Sequence, residues 1–443
     1  MGKESERKHA VIMVGLPARG KTYIASKVCR YLKWKGFPSK IFNTGRYRQD
    51  LDTELARKHD FFTSTVPDVA NIRKKMIDQV LEDMVEWLKT EQARVGIYDA
   101  TSITRERRKT VYELLSKEGF RVFFIESVCE DESIIQANIE QVKLTLPDYA
   151  HMDKQTAAED FKKRLAAYED VYEEIDLDHE GEYSFLRMID VNRQIVCNKV
   201  NGYMQTGIVY LLMNVHIVPR TIYFSRHGES QFNVAGRIGG NSGLSPRGLQ
   251  YAKALKTYMG EIKPENLEVW TSTMLRTIMT AEHFTECKRE WRCLEEIDAG
   301  TCDGLTYEEI QEKFPDEFAN RDEDKFNYRY PRGESYKDII TRLEPVLMEL
   351  ERAHNVLLVS HQAVLRCLLS YYLDIPPEEL PYVKVPLHTL LKLTPTAYGC
   401  NVEQIPLKID AVVTHRPPSQ KAAEKAETAM KVRDEDAIEP TNI

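Results

Sequence analysis

At 443 residues the chain is about three times the length of an ordinary single domain, so two or more hydrophobic cores are expected. Hydrophobic residues at 42% and charged residues at 29% exclude a collagenous, coiled-coil or wholly disordered chain. The formal charge of -8, from 61 Lys and Arg against 69 Asp and Glu, leaves no global basic field for nucleic acid or an anionic membrane, so anionic ligands must be held by local clusters.

The longest apolar stretch, Ile208 to Val218, is broken by Asn214 and His216 and falls well short of the roughly 20 residues a membrane helix needs. Met1 to Lys8 lacks the apolar core of a signal peptide, and the eight cysteines form no CxxC pair. A reducing, cytoplasmic compartment is therefore expected.

In chain order, the first half alternates short β-branched runs with long amphipathic stretches, the pattern of a parallel sheet covered by helices. Strands are predicted over His9–Val14, Lys40–Asn43, Val95–Tyr98 and Val122–Glu126, with helices over Lys21–Lys35, Ala70–Glu91 and Thr104–Glu118. A helix-rich segment, Glu130 to Ile175, follows, and the apolar run before residue 219 is expected to close the first sheet. Pro219 and Arg220 then precede a new strand, Thr221–Ser225, which puts a domain boundary between residues 218 and 219. The second half, 219–414, predicts strands at Glu268–Thr271, near Leu294–Ile297 and at Asn355–Ser360, and helices at Pro246–Met259 and Ser335–Arg352. Both halves are of the α/β class. Residues 415–443 carry almost no large apolar side chains and are expected to form a flexible tail.

Gly15, Leu16, Pro17, Ala18, Arg19, Gly20, Lys21 and Thr22 satisfy GxxxxGK[ST] between the strand HAVIMV and the helix that begins at Lys21. Backbone N–H groups of such a loop point inward at phosphate, Lys21 reaches the β- and γ-phosphates and the Thr22 hydroxyl ligates Mg²⁺. A Gly-rich turn without a ligand is the bland alternative, and the flanking strand and helix argue against it. Asp99 ends the next central strand, so its carboxylate, the Thr101 hydroxyl and the Arg107 guanidinium sit at the carboxyl edge of a parallel sheet, where ligands bind. Asp99 is placed to assist an acceptor hydroxyl or orient Mg²⁺, and Arg107 to bind a phosphate on the acceptor. The RERR run equally suits a solvated helix start. Arg48, Arg73, Lys143 and Arg164 taken singly read as solvated faces, and Cys129 as a small buried residue.

In the second half, Ser225-Arg226-His227-Gly228-Glu229 follows one strand and Ser360-His361-Gln362 follows another. Two imidazoles at strand ends can converge on one site. A neutral ring nitrogen can attack phosphorus while Arg226 and Arg276 neutralise the equatorial oxygens, and Glu296 can protonate the leaving oxygen. No HxH or HExxH pattern accompanies them, which favours a metal-free phosphoenzyme route. Arg321, Lys325 and Arg329 recur every four residues, so a helix would align them as a phosphate pocket or as a solvated strip paired with Asp322, Glu323 and Asp324. His283, His354 and His388 lack comparable company.

The ordered motifs GLPARGKTY, YDATSITRERR, FFIESVC, NIEQVKL, SRHGES, GRIGGNSGLSPRG, EIDAG, YPRGESY, SHQAV and PLHTLLKLTP, spread from His9 to Val413, resemble the 6-phosphofructo-2-kinase/fructose-2,6-bisphosphatase family. The resemblance implies a P-loop kinase of adenylate-kinase-like fold that phosphorylates the 2-hydroxyl of fructose 6-phosphate with Mg-ATP. It also implies a phosphoglycerate-mutase-like histidine phosphatase that removes the same phosphate, in a homodimer. By position it makes Arg48, Arg73, Thr101, Arg107, Lys143, Arg164 and Tyr168 contacts to fructose 6-phosphate or the transition state. Asp99 and Cys129 become the kinase active-site pair, with the loop through Tyr23, and Asn138 to Lys143, flanking ATP.

In the phosphatase the resemblance makes His227 the nucleophile, Glu296 the acid and later the base for water, and His361 a stabiliser of the phosphoryl group. Arg226, Asn233 and Arg276 would hold the 2-phosphate of fructose 2,6-bisphosphate, and Gly239 would also contact this substrate. Tyr307, Arg321, Lys325, Arg329, Tyr336, Gln362 and Arg366 would hold the sugar and 6-phosphate. Two departures stand out: Asn241 where the family pattern has Asp, and an altered run before Glu296. Two rival readings remain: a P-loop kinase fused to a phosphatase for another substrate, such as nucleic-acid ends, and a silent scaffold. The missing DxDxT motif opposes the end-healing case, and intact Lys21, Thr22, His227, Glu296 and His361 oppose the scaffold.

Overall fold

The computed structural model describes residues 7–50, 66–139, 154–191, 193–215, 220–396, 399–418 and 423. The chain divides between Val215 and His216 into two compact units, each built on its own six-stranded sheet.

The first sheet comprises β1 (His9–Val14), β2 (Ser39–Asn43), β3 (Val95–Asp99), β4 (Arg121–Val128), β5 (Phe185–Ile189) and β6 (Gln194–Asn198), in the order β2-β3-β1-β4-β5-β6. All neighbours are parallel except the β5–β6 pair. Every residue of the central strand β1 is buried, as a strand covered on both faces requires. The helices Lys21–Trp34, Pro67–Lys89 and Arg105–Lys117 carry the chain between parallel strands, starting respectively at Gly20, at a Pro in the first turn and at the Thr104 N-cap. The apolar run before residue 219 does not close this sheet; β5 and β6 do. Residues Gly202–Asn214 form a helix whose buried side chains, Gln205, Ile208, Leu211 and Leu212, fall at helical spacing. Its Ile and Val content suggested a strand, but period and length decide against it. In the segment expected to be helix-rich, Glu132–Asn138 and Lys154–Glu169 are helical, and 140–153 lies outside the described residues.

The second sheet comprises β7 (Ile222–Arg226), β8 (Leu267–Thr271), β9 (Cys287–Glu290), β10 (Asn355–Ser360), β11 (Thr389–Pro395) and β12 (Cys400–Pro406), in the order β12-β11-β7-β10-β8-β9. The four strands from β7 to β9 are mutually parallel, while β11 is antiparallel to both of its neighbours. No strand forms over Leu294–Ile297: the strand is β9, ahead of it, and Arg292–Leu294 is a short 3-10 turn that sets Glu296 in a loop. One core on this sheet gathers Tyr223, Tyr251, Leu255, Val269, Leu357 and Leu390.

Strand register matters most for the site. Ser360 pairs with Arg226 across β10 and β7, and His227 N–H donates to Ser360 O at 2.9 Å, so the histidines that follow the two strands emerge side by side. Among the described residues, no helix is long and apolar enough to cross a membrane.

Candidate active sites

In the first unit the loop after β1 is shaped by its backbone. Gly15, Ala18 and Gly20 all take positive φ, at 132°, 59° and 75°. A Cβ on Gly15 would stand 2.5 Å from Ser127 O on β4, so only glycine fits there, and its N–H donates to Thr101 O at 3.0 Å. Asn138 Nδ2 donates to Ala18 O at 3.1 Å. Lys21 is buried and folds its Nζ back onto Leu16 O at 2.6 Å, which keeps the cation inside the loop. Thr22 and Tyr23 follow in the first helical turn, and buried Arg19 pairs with Glu169 at 3.4 Å. Pro17 accepts from Arg19 through its carbonyl.

Beside this loop, Leu16, Arg19, Cys129 and Tyr172 line a cavity of about 950 Å³. Burial pushes the Cys129 thiol up, so it is a neutral group there rather than a thiolate. Asp99 is buried at the end of β3, with its carboxylate accepting from Asn43 Nδ2. Arg107 donates to Tyr98 Oη at 3.0 Å, Arg48 is buried on the helix Thr44–Asp50, and Arg73 lies on the helix Pro67–Lys89. Tyr168 packs with Leu16, Ile103 and Leu165. Lys143 and the Arg164 side chain lie outside the described residues.

In the second unit a cavity of about 360 Å³ opens at the carboxyl ends of β7 and β10. Arg226, His227, Asn233, Gly239, Arg276 and Glu296 line one part of it. Tyr307, Arg321, Lys325, Tyr336, Gln362 and Arg366 line it as well. The His227 and His361 rings lie 5.2 Å apart between centroids. His227 Nδ1 donates to Gly228 O at 2.8 Å, so the neutral ring keeps its lone pair on Nε2. Gly228 permits this turn because a Cβ would meet Gly248 O at 2.6 Å.

Arg276 Nε, always a donor, points at His361 Nδ1 at 3.2 Å, which leaves His361 Nε2–H to donate to Ser272 Oγ at 2.7 Å. His361 therefore has both ring nitrogens engaged. Burial, reinforced by Arg276 and Arg226, holds the His227 imidazolium well below its ordinary range, and burial with Arg276 does the same for His361. Glu296 Oε1 accepts from Ile297 N–H and Ala363 N–H at 2.9 and 3.1 Å, and Oε2 from Gln362 N–H at 3.0 Å. The carboxylate is thus clamped at the N-terminus of the helix Gln362–Leu373. Asn241 Oδ1 accepts from Leu275 N–H at 2.8 Å, a bond an aspartate could make equally.

The basic triplet corrects one expectation. The helix carrying Arg321 ends at Glu323, so Lys325 and Arg329 do not continue its face. Arg321 is buried among tyrosines, donating to Tyr330 Oη at 2.8 Å and Tyr307 Oη at 3.1 Å. Burial opposes its charge, but the phenolic oxygens outweigh burial and hold it above its ordinary value. Burial, with Arg321 and Arg366 beside it, drives Lys325 well below its ordinary value, as expected of a cation waiting for an anion. Arg366 donates to Tyr336 Oη at 3.1 Å. Arg329 is exposed, pairs with Asp338 and does not line the cavity.

Sequence reading missed Ser272, which holds His361, and Thr280, whose hydroxyl accepts from Gly228 N–H at 2.9 Å. It also gave no role to Val413 and Thr414, at the end of the second domain, and assigned His415 and Arg416 to the tail, although all four line the cavity. Low apolar content argues against a core but is silent on polar contacts. Most of the remaining tail lies outside the described residues.

A family model described as 6-phosphofructo-2-kinase matches residues 1–219, and one described as histidine phosphatase superfamily (branch 1) matches residues 222–407. The chain is 52% identical over 406 residues to "6-phosphofructo-2-kinase/fructose-2,6-bisphosphatase" of Aquarana catesbeiana, covering 92% of this chain and 86% of that one. It is 51% identical, over the same shares, to "6-phosphofructo-2-kinase/fructose-2,6-bisphosphatase 4" of Homo sapiens. Against "6-phosphofructo-2-kinase/fructose-2,6-bisphosphatase 1" of Rattus norvegicus it is 50% identical over 422 residues, 95% of this chain and 89% of that one. With a phosphate-shaped loop in one unit and paired histidines among buried arginines in the other, the chain belongs to the 6-phosphofructo-2-kinase/fructose-2,6-bisphosphatase family.

Proposed function

We propose that the protein is a bifunctional enzyme: its first unit, ending at Val215, makes fructose 2,6-bisphosphate from fructose 6-phosphate and ATP, and its second, beginning at His216, hydrolyses it back. The observation that carries this reading is the second cavity. It holds a neutral His227 in one lining with Arg226, Arg276, Arg321, Lys325 and Arg366, more basic groups than a single phosphate calls for and suited to a substrate that carries two.

In the kinase unit, the backbone N–H groups of residues 15–22 cradle the ATP phosphates and Lys21 neutralises charge on the phosphoryl group being moved. The positive-φ loop and the buried Lys21 fit a nucleotide polyphosphate. Thr22 would hold Mg²⁺, which when bound would supply further neutralisation of phosphate oxygens. Asp99 takes the proton of the acceptor hydroxyl. Arg48, Arg73 and Arg107, on helices adjoining β2 and β3, orient the acceptor's phosphate. Cys129, as an uncharged thiol, is a wall of the nucleotide cavity rather than a nucleophile.

In the phosphatase unit, His227 Nε2 attacks the 2-phosphorus, the bond to the sugar oxygen breaks, and Glu296 delivers a proton to that oxygen. Glu296 then takes a proton from water as it attacks the phosphohistidine, returning phosphate and free imidazole. Arg226 and Arg276 face the oxygens that gain charge. With its nitrogens held by Arg276 and Ser272, His361 acts by fixing Arg276.

All eight cysteines are free thiols, which supports the cytoplasm as the working compartment; the homodimer rests on the resemblance alone. The test is incubation with ATP and fructose 6-phosphate. Formation of fructose 2,6-bisphosphate is expected, most plainly in His227→Ala, where hydrolysis cannot remove it; ATP use by that variant without the product would refute the reading.

A further inference from the structure

The segment after β12 returns along the phosphatase cavity and is fastened as it goes. Leu407 N–H donates to His388 O at 3.1 Å, and His388 Nδ1 donates to Ile409 O at 3.1 Å. Val412 N–H donates to Oε2 of Glu229 at 2.9 Å, and Glu229 is fully buried two residues beyond the nucleophile. Next, Thr414 Oγ1 accepts from Arg226 Nη1 at 2.7 Å. The segment ends on Arg416, whose Nη2 donates to Asp322 Oδ2 at 3.1 Å.

Arg416 shares an aromatic ring and a carboxylate with Arg321. The two guanidinium carbons lie 4.9 and 5.0 Å from the centre of the Tyr307 ring, and both pair with the Asp322 carboxylate. Of the eleven buried side-chain polar atoms without a hydrogen-bond partner among the described residues, three, Arg226 Nε, Gln362 Nε2 and His415 Nδ1, belong to side chains that line this one cavity. Buried groups are ordinarily satisfied, so orphans on a shared wall mark where ligand atoms belong. The third lies in the returning segment itself.

We propose that Thr414–Arg416 is a specificity-determining wall of the phosphatase site, in which His415 and Arg416 read the phosphate remote from the bond that breaks while Thr414 sets Arg226. The inference rests on the bisphosphatase reading above. Arg321 and Arg366 supply fixed charge at that end, with Lys325 beside them, and a phosphate bound there offers Arg416 a second anionic partner beside Asp322. The remote group then contributes binding energy to ground and transition state alike, and Thr414 keeps Arg226 set whether or not that group is bound.

The test compares Arg416→Ala with the parent on fructose 2,6-bisphosphate and on fructose 2-phosphate, which lacks the remote phosphate. KM for the bisphosphate should rise about 10- to 100-fold with kcat within about threefold, while kcat/KM for fructose 2-phosphate stays at the parent's value. Arg416→Lys should recover part of the loss, and Arg416→Gln gives the same split should the alanine variant not fold. An unchanged KM, or equal losses on both substrates, overturns the proposal. A parent that fails to hydrolyse the bisphosphate overturns instead the reading on which it rests.

Discussion

In the function proposed above, the loop of the first unit and the cavity of the second both take phosphate, but the first is made of backbone and the second of side chains. In the loop, residues 15–22 supply the shape through positive φ at Gly15, Ala18 and Gly20, and one buried Lys supplies the charge. In the cavity the charge comes from Arg226, Arg276, Arg321, Lys325 and Arg366, carried by elements from β7 to the helix Gln362–Leu373. A backbone site needs a few contiguous residues and a strand-to-helix turn. A side-chain site needs a whole domain to bring distant residues together, and it carries the desolvation of every cation it buries.

The largest expected effect breaks this comparison on the side-chain half. Replacing His227 by Ala should lower bisphosphate hydrolysis by about 10⁴-fold or more, as loss of a nucleophile does, and leave synthesis within about twofold. Residual hydrolysis near the parent rate would mean that another group attacks phosphorus. On the backbone half, Lys21→Ala should slow synthesis by about 10³-fold and spare hydrolysis. Synthesis at the parent rate would show that the loop holds something other than the transferring phosphate.

Arg321→Ala sharpens the comparison within the cavity. It should raise KM for fructose 2,6-bisphosphate about 100-fold and cost far less on a substrate without the 6-phosphate, because the lost contact is to that group. Equal losses would place the arginine elsewhere in the mechanism.

The smallest effect concerns acid. The folded chain holds the His227 pKa below its unfolded value of about 6.5, so between the two the unfolded chain binds more protons and stability falls as pH drops. His361 acts in the same direction, and in the first unit burial together with Arg121 lowers His9 to about 4. His227→Gln, with no proton to take up, should flatten the acid slope below pH 6.5 by up to about 1.4 kcal/mol per pH unit. A slope unchanged in calorimetric melts would show that the imidazole is not held neutral.

Contiguity decides how much of this was legible in the sequence. The loop could be read whole, because eight adjacent residues and their flanks carry the mechanism. The histidines could be read singly, each after its strand, but the register pairing Ser360 with Arg226 belongs to the fold. Arg321 and Lys325 were found by a four-residue spacing that assumed a helix; the helix ends at Glu323, and Arg329 pairs with Asp338 outside the cavity. Arg416 was set aside with the tail because a segment without large apolar residues builds no core, and Thr414 just before it carried no motif, yet their polar atoms meet Asp322 and Arg226. Likewise β5 and β6 were passed over for the more apolar run that became the helix Gly202–Asn214.

One labelling experiment joins both halves. Incubated with fructose 6-phosphate and ATP labelled in the γ-phosphate, the parent should acquire an acid-labile, base-stable label on His227, because the phosphate passes to the sugar in one unit and to the imidazole in the other. Lys21→Ala should take no label from ATP yet be labelled by fructose 2,6-bisphosphate carrying the isotope in its 2-phosphate. Label on a serine, or label reaching His227 from ATP in Lys21→Ala, would contradict the account.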